Sequence, residues 1–414
     1  MIERISHKLT RLALFAMTLV ALGAHADDAE TPMFSFSGFA TLGVVHSDED
    51  KADFRSSIFK PNGAGYSRRW SADVDSLIGA QVTAKLTPQL TAVVQVVSEQ
   101  DHDNTYKPHV EWANIKYQFT PDFSVRIGRT VIPAFLVSGS RKVGYTYMWV
   151  RPPVEVYKLL PITNADGVDA SYRMHFGEFT NTIQGNISRN DTKLTNAGYA
   201  KSRGSWAISD TVEYGPLTMH ISYLKNNLTV ESFNPLFNSF RQFGREGNAI
   251  ADKYDPASKP SPFLGIGASY DPGNWFVMGE WSHVKYNSVL GESTAWYVSG
   301  GYRLKDLTLF SSYAKSKVDN LSDPGLTVSA LPPFLAGPAS GLNAALNSVL
   351  MRKSAQNTIS IGGRWDFMKN ADLKLQFDHT RIGVGSTGVL TNIQPGYRTG
   401  GKVNVFSATI DIVF

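Results

Sequence analysis

The stretch SLIGAQVTAKLTPQLTAVVQVVSE, residues 76–99, holds the pattern that decides the fold. Ile78, Ala80, Val82, Ala84 and Leu86 alternate with Gln81, Thr83 and Lys85. After Thr87, Pro88 and Gln89 the pattern resumes, with Leu90, Ala92, Val94 and Val96 against Thr91, Gln95 and Glu99. Successive side chains of a strand point to opposite faces, so each half is a strand with one apolar and one polar face. Proline lacks an N–H and fixes its φ, which places 87–89 at a turn. The result is a hairpin of two strands of about ten residues, the length that crosses a bilayer when tilted.

The same unit recurs along the chain. EWANIKYQF (111–119) turns into FSVRIGRT (123–130), and GVDASYRMHF (167–176) into FTNTIQGNIS (179–188). WAISDTVEY (206–214) turns into LTMHISYLK (217–225), and FLGIGASY (263–270) into WFVMGEWSHV (275–284). AWYVSGGYRL (295–304) turns into LTLFSSYAKS (307–316), and NTISIGGRWDF (357–367) into DLKLQFDHTRI (372–382). A single strand stands at each end: MFSFSGFATLGVV (33–45) and FSATIDIVF (406–414). The expectation is an all-β transmembrane antiparallel barrel of about 16 strands, with tight turns on one side and long loops on the other. An open sheet edge in lipid leaves N–H and C=O groups unpaired, so the two terminal strands must pair with each other. Many aromatics flank the turns, as in an interfacial girdle: Tyr117, Phe119, Phe123, Phe176, Phe179, Tyr214, Tyr270, Trp275, Trp365 and Phe377.

Composition agrees. Charged residues are 18% of the chain, below the roughly 25% of ordinary soluble proteins, while aromatics are 12% and glycines number 35. Alternating lipid-facing and lumen-facing residues cancel in any average, so mean hydropathy stays slightly negative. There is no cysteine, which excludes disulfides and thiolate metal sites. Arg4, Lys8 and Arg11 precede the apolar run Leu12–Gly23 and the small-x-small site Ala24-His25-Ala26. This reads as a signal peptide over 1–26, cleaved after Ala26, followed by one barrel domain over 27–414. The formal charge is +4, of which that leader supplies three bases and one acid. The remaining charge is too small for the basic face that nucleic acid requires.

These features resemble the general porins, the trimeric 16-stranded diffusion channels of the Gram-negative outer membrane. The residues carrying the likeness are the leader, the hairpins and FSATIDIVF with its terminal Phe414. The resemblance implies export to that membrane and contact with its lipid and lipopolysaccharide. It further implies assembly as a homotrimer and a role for Phe414 as the signal read by the outer-membrane assembly machinery. Small hydrophilic solutes and ions would pass; no cofactor, no metal and no catalytic group is expected. In this family the loop after the fifth strand folds into the lumen and narrows it. Here that loop spans about Ile132 to Asp166, and the family's Pro-Glu-Phe-Gly sequence is absent from it.

Rings of charge are the usual selectivity device of a pore. The loop's candidates are Arg141, Lys142, Arg151, Glu155, Lys158 and Asp166. On the wall, Arg126 shares its face with Ser124 and Gly128, and Lys116 and Arg173 also point away from apolar faces. Lys85, Arg303, Arg364 and Lys374 are placed inward near the tight turns, and Glu99, Asp169, Glu213, Glu280, Asp366 and Asp378 are the inward acids. The loop's basic excess leans toward anions, with a nonselective pore of paired charges as the alternative; a substrate-specific channel, for phosphate or another anion, is the second reading. A non-conducting barrel, or an enzyme using His220, His283 and His379, is the third reading, and no G-x-S-x-G or H-E-x-x-H sequence supports catalysis. Two further long loops, about 227–262 and 317–355, look extracellular. In the second, Leu342, Leu346, Val349 and Leu350 at helical spacing predict a short helix capped by Ser340. The run from Ser47 to Asp53 reads as solvated charge.

Overall fold

The computed structural model describes residues 32–195, 198–319, 321–351 and 354–414. The expected leader and its cleavage site lie outside them. Sixteen long strands run among the described residues: β1 (Phe34–Ser47), β2 (Leu77–Lys85), β3 (Leu90–Glu99), β4 (His109–Gln118), β5 (Phe123–Val131), β6 (Asn164–Phe176), β7 (Phe179–Lys193), β8 (Tyr199–Tyr214), β9 (Leu217–Val230), β10 (Phe263–Tyr270), β11 (Trp275–Lys285), β12 (Glu292–Leu304), β13 (Leu307–Val318), β14 (Gln356–Met368), β15 (Ala371–Ile382) and β16 (Lys402–Val413). Each pairs antiparallel with its neighbours, and β1 pairs with both β2 and β16, from Phe39↔Val413 to Ser47↔Val405. The sheet is therefore closed, as the strand count and the two terminal segments require. No helix among the described residues is long and apolar enough to cross a membrane.

Outward positions alternate with inward ones on every strand. Ile115, Ile127, Val168, Ile187, Ile208 and Ile361 are exposed on the outer face, while their sequence neighbours turn into the lumen. Beside the tight turns the aromatics meet in pairs. Phe179 stacks on Tyr214 at 4.2 Å, and Tyr117 meets Phe119 edge-on at 4.7 Å.

Phe414 completes the closure. Its N–H donates to the Gly38 carbonyl at 3.0 Å, and its carbonyl accepts from the Gly38 N–H at 2.7 Å. Its ring lies over Gly38, where an added Cβ would come within 2.3 Å of Phe414 Cζ.

A second glycine device sits on the lumen side. Phe276, Gly301, Phe310 and Gly362 are register neighbours across β11 to β14. Each ring lies in the space its glycine neighbour leaves empty. At Gly362 a Cβ would meet Phe310 Cζ at 2.5 Å and the Leu375 carbonyl at 2.6 Å. Gly362→Val should therefore cost about 1–3 kcal/mol through overpacking. Thermal unfolding followed by electrophoretic mobility in detergent checks this, and an unchanged midpoint would refute it.

The three longest gaps follow β5, β9 and β13, as the sequence indicates. The loop after β5 carries a one-turn helix, α1 (Val154–Tyr157). The other two supply α2 (Asn234–Arg241), α3 (Gly244–Tyr254) and α4 (Pro333–Leu350). Phe237, Phe240, Ile250, Leu346 and Leu350 pack together there with Val289 of the β11–β12 turn, forming a small apolar cap at the long-loop end. Helix α4 starts at Pro333, seven residues before the expected cap Ser340, which lies exposed inside it. Proline suits the first helical turn, where its missing N–H is not needed.

The run after β1 is also more engaged than solvated charge. Asp53 is fully buried, accepting from Ser67 N at 2.7 Å and Asn392 Nδ2 at 2.7 Å, and Asp48 accepts from Asn404 Nδ2 at 2.6 Å. Asp50 remains exposed.

Candidate functional site

The loop between β5 and β6, residues 132–163, enters the lumen and is tied to the opposite wall. Near its start, Leu136 N donates to Glu280 of β11 at 2.9 Å. Glu280 also accepts from Tyr157 at 2.5 Å and from Tyr297 at 2.9 Å. The Gly144 carbonyl accepts from Lys374 at 2.6 Å, and the Tyr145 carbonyl from Arg364 at 2.6 Å. Trp149 donates to Ser299 at 3.0 Å, and Val150 N to Gln376 at 2.9 Å. Ile132, Phe135, Trp149 and Val156 bury their side chains among Phe276, Tyr297 and Phe310 of the wall.

The tightest anchor is Arg151, 7% exposed. Its guanidinium grips Asp75 in two-pronged fashion, at 2.8 and 2.6 Å, and reaches Asp378 at 3.1 Å and Ser407 at 2.6 Å. Phe54 lies under it, 5.2 Å from ring centre to Cζ. A planar fork suits this geometry and an ammonium does not. Asp75 lies in the loop after β1, and nothing local in the sequence marks it as a partner.

The candidate residues therefore separate into three groups. Arg141, Lys142, Arg151, Glu155 and Lys158 do lie on the loop inside the barrel, but each is used to hold it. Arg141 donates to the carbonyls of Tyr157 and Leu160 at 3.0 Å each, folding the loop on itself. Lys142 bonds Glu99 of β3. Glu155 is 1% exposed and accepts from Gln356 at 2.6 Å and from Thr358. Lys158 donates to Ser316 at 2.9 Å and to the Ser354 hydroxyl at 2.8 Å. Burial pulls its ammonium down to about 8, against the pull of Glu155.

The second group lines the wall facing the loop. Lys116 and Arg126 are register neighbours on β4 and β5. Arg126 is held by Asp169 at 2.7 Å, and Asp169 also accepts from Gln184. Lys116 and the exposed Arg173 have neither an ion pair nor a side-chain hydrogen bond among the described residues. Lys116 stands opposite Arg126, and like charges placed opposite one another repel, so these two are retained at a cost.

Asp166 is a correction. It is the third residue of β6, not part of the loop, and its register partner is Arg129. The pair, bonded at 2.7 and 2.9 Å, shares the outer face with Ile127 and Val168. It cannot line the lumen. Arg364 and Lys374 are inward as expected, yet they are occupied by the loop's carbonyls rather than open to the mouth; Lys374 is 0% exposed and lies 3.0 Å from Asp411. His220, His283 and His379 stay apart on β9, β11 and β15, bonded to Thr211, Thr294 and Asn404 respectively. They form no catalytic group.

A closed 16-stranded barrel with an inward loop defines an outer-membrane channel. The profile of the Gram-negative porins matches residues 13–383, and the chain belongs to that family. The barrel is similar to the OmpF of Salmonella typhi solved with daunomycin, at 13% identity and a TM-score of 0.55 over 92% of this chain and 97% of that one. It is also similar to the outer-membrane channel DcaP of Acinetobacter baumannii, at 13% identity and a TM-score of 0.54 over 94% and 100%. Identities this low speak to the fold alone. A search among curated proteins finds no match.

Proposed function

We propose that the barrel is an open, passive diffusion channel for small hydrophilic solutes and ions, with a preference for anions. The observation that carries this is the contrast between the two sides of the lumen. The loop's charges are tied to the β11–β16 wall, to Asp75 of the loop after β1, to β3 and to the loop itself, whereas Lys116 and Arg173 on the β4–β6 wall are free among the described residues. The path for solutes runs along this second wall, and a cationic lining there concentrates anions. No bond chemistry is involved.

The working unit is a homotrimer, delivered after cleavage behind Ala26. Support comes from the outer face of β2 to β4, where Ala80, Val82, Ala84, Ala92, Val94 and Ala113 form a patch of small and aliphatic side chains beside Ile115 and Tyr117. The outer face of β11 to β14 instead carries Trp275, Trp296 and Trp365, residues that favour lipid headgroups.

Single-channel recording of refolded protein in a planar bilayer under a KCl gradient tests the reading. Currents should step in threes, with a reversal potential of the anion-selective sign. Lys116→Gln combined with Arg173→Gln should carry that potential toward or past zero. A variant with undiminished anion selectivity would remove this wall from the pathway.

A further inference from the structure

We propose that the lumen also holds a saturable binding site for a small amphipathic carboxylate, an aromatic or branched apolar body bearing one negative charge. The proposal rests on the reading above of an open, anion-preferring channel and names what that channel selects.

The site is a cavity of about 220 Å³ between the loop and the lumen side of β7 to β10. This is more than ten times the ~10–15 Å³ that one ordered water needs. Its walls are mainly apolar, with Leu160 and Ile162 of the loop facing Leu224 and Phe263 of the barrel. Strongly hydrated solutes, such as sugars or inorganic ions, gain nothing from such a surface.

Two polar atoms in it are unpartnered. Asn186 is 5% exposed and its Nδ2 has no hydrogen-bond partner. Asn226 Oδ1, also sealed from solvent, has none either. Leaving the Asn186 N–H buried and unpaired costs about 1–3 kcal/mol, which a ligand's carboxylate can recover, whereas the Asn226 oxygen is an acceptor and gains nothing from it. The third polar feature is Lys158, whose ammonium has no carboxylate within ion-pair distance among the described residues. Its three donors are already taken by Ser316 and Ser354, so it contributes field rather than a bond. Lys225 also lines the cavity and has no ion pair among the described residues, so two lysines without carboxylate partners exclude a cation and suit a carboxylate, with the Asn186 amide as donor. The floor of the cavity adjoins the basic wall, because Asn186 is the register partner of Asp169, which Arg126 holds. A carboxylate leaving the site toward the tight-turn side passes directly to cations.

The test uses the refolded full barrel in a planar bilayer, with sodium benzoate titrated against a constant chloride current. Benzoate should block the current saturably. Acetate, which lacks the apolar body, and benzyl alcohol, which lacks the charge, should block far more weakly. Asn186→Leu should raise the half-blocking concentration of benzoate by about tenfold, the effect of one lost charge-assisted hydrogen bond. This concentration is a ratio of currents and stands apart from changes in open conductance. Equal block by acetate or by benzyl alcohol, or an unshifted Asn186→Leu variant, would overturn the proposal. If no chloride current appears at all, the channel reading fails instead. Benzoate binding is then read by tryptophan fluorescence, since Trp206 borders the cavity. Saturable quenching that Asn186→Leu weakens would uphold the site without the channel, and no quenching would overturn it.

Discussion

Replacing Arg151 with alanine is expected to raise the single-channel chloride conductance by about twofold or more, because the narrowing of the lumen is maintained by a tether. Arg151 joins the middle of the loop to Asp75, Asp378 and Ser407, all of them buried or nearly so. Removing the guanidinium strands two carboxylates in a dry site. Breaking a buried ion pair on one side costs about 3–5 kcal/mol. The strain is relieved if water enters and the loop lifts from β15 and β16. The glycine-lined aromatic row and the backbone ladders of the barrel are untouched, so the variant should still fold. Arg151→Lys keeps the charge but not the two-pronged grip, and should fall between the two. A bilayer recording showing the parental conductance and noise in Arg151→Ala would mean that the remaining anchors, among them Glu155, Glu280, Lys374 and Lys142, hold the loop unaided.

The second large effect is expected at the other end of the chain. Deleting Phe414 removes both hydrogen bonds to Gly38 and the ring that covers it. The β1–β16 seam retains its pairs from Phe39↔Val413 to Ser47↔Val405, so refolding in detergent should persist with a modest loss of stability. Inside cells the loss should be at least several-fold in assembled barrel, if the terminal aromatic is also what the assembly machinery reads. Comparing refolding yield with the amount recovered from outer membranes separates the two roles. Equal losses in both would assign Phe414 to seam closure only. Gly38→Val should reproduce the seam defect, since its side chain would displace the same ring.

What could be read from the sequence was set by the distance over which each feature is determined. Alternation and turn residues act within a few positions, so all sixteen strands and the three long gaps are legible. The lumen-facing assignment of Lys116, Arg126 and Arg173 follows from the same parity. Asp166 fails for a boundary reason: a strand extended by three residues turns an apparent loop charge into an outward one paired with Arg129. The loop's other charges are legible as lumenal but not as anchors. Arg151 meets partners 76, 227 and 256 positions away, and no local pattern encodes such pairings. The start of α4 was displaced because apolar spacing marks a helix's buried face; its first two turns, around Phe334, are largely exposed and carry no such mark.

The loop's attachments also have a mechanical consequence. Its bonds fall on β9, on the arc from β11 to β16, on Asp75 of the loop after β1, and on Glu99 of β3 and Glu111 of β4, and none reaches β7 or β8 among the described residues. A hoop braced along one arc yields along the other. When the surrounding bilayer is stretched or thinned, the β7–β8 side is the part of the ring that flexes. The compliant arc is therefore the one that walls the cavity beside the loop, next to the basic β4–β6 wall.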